Sequence, residues 1–245
     1  MHPHDNNLSL YFWKGLAILL ATLPLPLLSE YSGLDTLIEN YYFDTATHTF
    51  PWRQVAWFEA LMHGGIKMML FIFLALIIAA LLLRIFSPDS LKGVIPAFWQ
   101  RQRTLIYLLV ALLAGPLIIG LLKHITSRVC PWDIQLYGGQ IPYLFLWQEP
   151  FFNLASPGRC FPGGHASGGY ALLAFVPLFY GRQRLIALFI ALGLGTLMGW
   201  SRMMQGAHFL SHNLWSAWIC ACTTWICFLV IQPFSPKNTP TESSL

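Results

Sequence analysis

The chain is short of charge. Acidic and basic residues together make up 10% of it, against about 25% in a soluble domain. Too few ions are available to coat a water-facing globule, which excludes that class. Acids are scarcer than bases, ten against fourteen, and no carboxylate cluster accompanies the histidines. A di-metal hydrolase needs such oxygen ligands and is disfavoured. The formal net charge of +4 is scattered over loops and motifs instead of forming a patch, so no nucleic-acid partner is expected. Cysteine is sparse, and Cys220, Cys222 and Cys227 fall inside an apolar run, where they read as packing residues. A small-x-small cleavage site is also missing after the first apolar run, which continues Leu28-Ser29-Glu30-Tyr31. That run is expected to be a retained span, kinked or shortened at Pro24 and Pro26, and not a cleaved leader.

What the chain has is hydrophobic length. Apolar residues make up 56% of it, gathered into six runs at about 10–28, 66–86, 104–122, 165–180, 185–200 and 213–231. This predicts an all-α membrane bundle of six transmembrane helices. Residues 1–232 form one domain, and the Pro- and Ser/Thr-containing tail 233–245 is disordered. Asp35–Tyr42 reads as a short interfacial helix, because Leu37 and Tyr41 stand at i and i+4. His63 and Lys67 near the second run read as interfacial residues. Lysine and arginine concentrate in the connection 87–103 and at Arg182 and Arg184, which assigns these loops and both termini to the cytoplasm. Arg128, Arg159 and Arg202 then lie on the outer side against that rule, and a site for an anionic ligand accounts for them.

Three segments meet at the predicted outer ends. Lys123 to Pro131 follows the third run, Pro162-Gly163-Gly164-His165 opens the fourth, and Ser201 to His212 joins the fifth to the sixth. The glycines let the backbone approach an oxyanion at a helix N-terminus. Lys123, Arg128, Arg159 and Arg202 supply cations, and His165 and His208 can attack or transfer protons. His165, His208 and His212 have zinc-ligand chemistry, but the surrounding cations would repel a metal. Neither metal nor other cofactor is expected. Two histidines among cations suit phosphoryl transfer through a phosphohistidine.

Ser201-Arg202, five residues and then His208 resembles the third signature of the type 2 phosphatidic acid phosphatase superfamily. Pro162-Gly163-Gly164-His165 resembles its second, usually Pro-Ser-Gly-His. Lys123, six residues and then Cys130-Pro131 resembles its first, usually ending Arg-Pro. The resemblance spans about residues 105–230. It implies that His208 is the nucleophile and His165 its acid-base partner. It further implies that Lys123 and Arg202 hold phosphate, with Gly163 and Gly164 in the phosphate loop. The substrate it implies is a lipid phosphate or pyrophosphate at the outer leaflet: polyprenyl pyrophosphate, lipid A phosphate, phosphatidic acid or phosphatidylglycerophosphate. The expected setting is a bacterial inner membrane with the site facing the periplasm.

Three departures qualify the resemblance. Cys130 stands in place of an arginine, which Arg128 or Arg159 would have to replace. Gly163 stands in place of a serine, leaving its backbone N–H as the donor. His212 stands where an aspartate orients the nucleophile, and is expected to accept from His208 Nδ1–H, with Asp133 or Glu149 compensating for the lost charge. Cys130 and Cys160 both lie on the outer side, either bonded, with about 3 kcal/mol of chain-entropy stabilisation, or as two small unpaired residues. A relative that binds or transports lipid phosphate without catalysis is the alternative reading, and oligomeric state is left open.

Overall fold

In the computed structural model the described residues are 3–60, 66–86, 102–145, 148 and 158–231. Several expectations therefore lie outside them: the basic connection 87–101, His63, Glu149 and the tail. Among the described residues the regular elements are all helices, apart from two isolated β-bridges, Asp44 with Thr49 and Ile134 with Ile141.

The N-terminal run is two helices, α1 (Pro3–Thr22) and α2 (Pro24–Tyr31), broken at Leu23. Pro24 takes the first position of α2, where its missing N–H costs no helical bond. Next come α3 (Leu34–Tyr42), the single turn α4 (Ala56–Glu59) and α5 (Ile66–Phe86). The motif-bearing part consists of α6 (Gln102–Ile125), α7 (Gly164–Tyr170), α8 (Gly181–Met204) and α9 (Leu210–Ile231). From α7 a 3₁₀ segment, Ala171–Leu178, continues the same run.

Among the described residues four helical stretches are long and apolar enough to cross a membrane: Leu8–Tyr31, Gln102–Ile125, Gly181–Met204 and Leu210–Ile231. A shorter apolar stretch covers Phe71–Leu83. The helices overrun the apolar runs, so Lys123, Arg202 and His212 lie inside helical turns and not in the connecting loops. Lys123 and Arg202 occupy last turns, where a cation meets the negative end of the helix dipole.

Helix α9 runs through the centre, packed on α6, α2, α7 and α1. Small residues set these approaches. A Cβ on Gly169 would lie 2.3 Å from the Gly195 nitrogen, and one on Gly115 would lie 2.7 Å from Cys220 Sγ. In lipid, where apolar surface gains little by pairing, such close backbone contact is a main source of helix association. One core joins Ile77, Tyr107, Leu108, Ala111, Ala174 and Phe228 across α5, α6, the 3₁₀ segment and α9. Leu121, Phe189 and Val230 point outward, as lipid-facing residues do.

Helix α3 reverses the polarity of a soluble surface helix. Leu37 and Tyr41 are 64% and 82% exposed, whereas Asp35 and Glu39 are 0% exposed. The sequence pattern predicted a short helix here from Leu37 and Tyr41, and its acidic face is the one turned inward.

Candidate active site

The site lies at the end of the bundle where α6 and α8 finish and α7 and α9 begin. Its spacing comes from local geometry. Beyond Met204, Gly206 takes φ +70°. The Gly206 N–H then donates to the Met203 carbonyl, and the Ala207 N–H donates back to that of Arg202, both at 2.8 Å. This is a Schellman closure, and it fixes the five residues between Arg202 and His208. A Cβ on Gly206 would also lie 2.4 Å from the Phe50 ring.

The first and second motif segments are joined side by side. The Cys160 N–H donates to the Arg128 carbonyl at 3.2 Å, the Gly158 N–H to that of Thr126 at 2.9 Å, and Thr126 Oγ1 to that of Phe161 at 2.8 Å. Cys130 and Cys160 form a disulfide with Cα atoms 5.1 Å apart. The Phe161–Pro162 peptide is cis.

Four sequence-predicted residues come together: Lys123, His165, Arg202 and His208. Lys123 Nζ would be 3.4 Å from a Cβ on Gly164. Arg202 Nη1 donates to Gln205 Oε1 at 2.7 Å. His208 is buried, and among the described residues its Nδ1 has no hydrogen-bond partner. Burial, reinforced by the nearby Lys123, His212, His165 and Arg202, holds its pKa well below the 6.5 of a free imidazole. At neutral pH His208 is therefore an unprotonated nitrogen base.

The remaining candidates stand in other settings. Arg128 is not a free phosphate clamp: Nη2 donates to Glu30 Oε1 at 2.7 Å and Nη1 donates to the Leu144 carbonyl. A guanidinium this buried needs an anion beside it, and Glu30 of α2 supplies one. Arg159 is exposed, at φ +60°. The Gly163 N–H is already committed to the His212 carbonyl at 3.0 Å. His212 does not accept from His208: the ring centroids are 5.9 Å apart, and His208 Nδ1 has no hydrogen-bond partner among the described residues. Its ring stands edge-on between Phe161 and Phe209, each at 5.3 Å. Asp133 is half-buried in a 3₁₀ turn.

The carboxylates that approach this end come from a segment the motif reading did not use. Asp35 accepts from Ser211 N at 2.9 Å, from Ser211 Oγ, and from Ser29 Oγ at 2.8 Å. It caps the N-terminus of α9 from another helix. Burial raises its pKa, and the hydrogen bonds from Ser211 and Ser29 oppose that rise. One turn on, Glu39 is buried with neither carboxyl oxygen hydrogen-bonded among the described residues. Burial and the neighbouring Asp35 raise its pKa well above 4.5. The i, i+4 spacing of the two acids was the available signal.

An apolar groove of about 330 Å³ leads to the site. Phe71 and Leu74 of α5, Leu112 and Pro116 of α6 and Met198 of α8 wall it, and it ends at Lys123, Gly164 and His165.

Apolar spans, with two histidines and two cations gathered at one end of the bundle, define a multi-pass helical membrane protein with a cationic, histidine-bearing site. Residues 104–236 match the PAP2 superfamily, more than half of the chain, and the protein belongs to that superfamily. Over 206 residues it is 24% identical to the lipid A 4'-phosphatase of Francisella tularensis subsp. novicida (strain U112). That alignment covers 82% of this chain and 87% of the relative. No solved structure matches the chain.

Proposed function

We propose that the protein is a lipid phosphatase or phosphotransferase working at the outer leaflet of a bacterial inner membrane through a phosphohistidine. The apolar groove ending at Lys123, Gly164 and His165 carries this reading. A hydrocarbon chain can lie against Phe71, Leu74 and Leu112 while its phosphate meets the cations, and a water-soluble phosphate would gain nothing from such walls. The relative that acts on lipid A makes a lipid A phosphate the first substrate to test. Phosphatidic acid, phosphatidylglycerophosphate and polyprenyl pyrophosphate complete the panel. In the same reading six spans cross the bilayer, both termini are cytoplasmic and the disulfide side is periplasmic.

The proposed chemistry balances without a further reactant. The neutral His208 attacks phosphorus, and the bond from phosphorus to the headgroup oxygen breaks as the N–P bond forms. His165 in its protonated form gives its proton to the leaving oxygen. Lys123 and Arg202 neutralise the phosphoryl oxygens as negative charge moves onto them. Water, or the hydroxyl of a second lipid, then attacks the phosphohistidine while His165 takes its proton. Phosphate or a new phosphoester leaves, and His208 is restored.

The experiment is phosphate release by the purified full-length protein from the four lipid phosphates in mixed micelles. Release from at least one, with acid-labile phosphate trapped on His208, is expected. No release from any of them, with lipid binding retained, would instead identify a lipid-phosphate binder.

A further inference from the structure

Asn213 has a polar group with nothing to bond. Among the described residues neither Oδ1 nor Nδ2 has a hydrogen-bond partner, yet the residue is 3% exposed. A buried amide unpaired on both sides is costly to keep, and such a group calls for an explanation such as an absent ligand.

Two glycines make room for it. A Cβ on Gly163 would lie 2.5 Å from Asn213 Oδ1. One on Gly199 would lie 2.7 Å from Cγ and 2.9 Å from both Oδ1 and Nδ2. The amide is thus wedged between the loop that leads to His165 and the part of α8 that leads to Arg202. Gly163 itself has nothing left to offer a ligand. Its N–H donates to the His212 carbonyl, and its own carbonyl accepts from Ser216 Oγ at 2.9 Å and from the Ser167 N–H at 3.3 Å. The next residue, Gly164, packs on Lys123. At this corner of the site the backbone donor is committed and the side-chain donor beside it is not.

We propose that Asn213 is a phosphate-binding residue, its Nδ2 donating to a non-bridging oxygen of the phosphoryl group held by Lys123 and Arg202. The proposal rests on reading the site as one for phosphoryl transfer. It explains why positions 163 and 199 are glycine: a side chain at either would displace the amide.

The test uses the full-length protein in detergent, with lipid-phosphate hydrolysis, inhibition by orthovanadate and thermal unfolding measured together. Asn213→Ala is expected to lower kcat/KM and weaken vanadate inhibition by about 10- to 100-fold, the worth of one hydrogen bond to an anion. Asn213→Asp keeps the shape but sets a carboxylate against the phosphate, and is expected to lose more than Asn213→Ala. A merely structural amide predicts the reverse order, with the isosteric Asp milder. In Gly163→Ser/Asn213→Ala the hydroxyl enters the vacated space and recovers part of the loss. Unchanged vanadate inhibition in Asn213→Ala, or an Asp variant closer to wild type than the Ala variant, overturns the proposal. If Asn213→Ala does not fold, Asn213→Asp with wild-type vanadate inhibition overturns it equally. A wild-type protein that neither releases phosphate nor binds vanadate sinks the phosphoryl-transfer reading as well, whereas active wild type with indifferent Asn213 variants sinks this proposal alone.

Discussion

Two regions meet at the active end of the bundle, and they treat charge in opposite ways. The wall formed by α6, α7, α8 and α9 gathers Lys123, Arg202, His165 and His208, with Lys123 and His165 lining the apolar groove. The arm formed by α2 and α3 buries Glu30, Asp35 and Glu39. Two of those acids are fully used: Glu30 by Arg128, and Asp35 by Ser211 and Ser29. In the proposed function the wall's cations meet an anionic ligand, while Glu30 and Asp35 of the arm hold buried partners.

If that division is right, breaking the wall should remove chemistry and leave the fold. His208→Ala has the largest expected effect, a fall in kcat of about 10³-fold or more, since the reaction loses its nucleophile. The apparent Tm in detergent should hold within a few degrees. In the wild type the acid limb of kcat/KM should fall well below pH 6.5, because the depressed pKa keeps His208 neutral there. A His208→Ala variant with wild-type turnover, or an acid limb at or above 6.5, contradicts the assignment.

Breaking the arm should do the reverse. Arg128→Ala leaves Glu30 buried without its cation, a change that costs about 3–5 kcal/mol. Glu30→Ala strands Arg128 in the same way. Both should lower the apparent Tm strongly, while whatever protein remains folded keeps its KM, because Arg128 is committed to Glu30. Replacing the pair together, as Glu30→Leu/Arg128→Met, should recover much of the lost stability. A raised KM in Arg128→Ala at unchanged stability would put Arg128 back in the wall.

The two regions also differ in how far the sequence could be read. The wall was legible because its residues sit at fixed intervals that local structure enforces: a helix end, a Schellman turn and a helix start fix the distance from Arg202 to His208. Run boundaries were less legible, since Lys123 and Arg202 cut short an apolar pattern that the backbone helix ignores. The α3 part of the arm was legible as a helix from Leu37 and Tyr41 at i and i+4, but the face carrying Asp35 and Glu39 was not read. Which face turned inward depended on what surrounds the molecule, and hydrophobic surroundings reverse the rule that acids face out. Pairings such as Arg128 with Glu30, 98 residues apart, leave no local trace. The setting of His212 leaves no local trace either, because Phe161 and Phe209 box its ring from two separate segments.

Glu39 is the point where the comparison is sharpest and the effect smallest. Unlike Glu30 and Asp35 it has no hydrogen-bond partner among the described residues, and burial is the first cause of its raised pKa. A carboxyl whose folded pKa lies above its unfolded value binds more protons when folded. Its contribution to stability is therefore complete below about pH 4.5 and is lost as pH rises through the folded value. Glu39→Gln removes that titration while keeping the size of the side chain. The variant and the wild type should unfold at nearly the same temperature at low pH. As pH rises through the folded value the wild type should fall behind, by about 1 kcal/mol or more. Unfolding curves recorded from pH 4 to pH 9 would show the two diverging. If instead the wild type gains on the variant as pH rises, Glu39 is ionised and paired in the folded protein, and the arm has no idle acid.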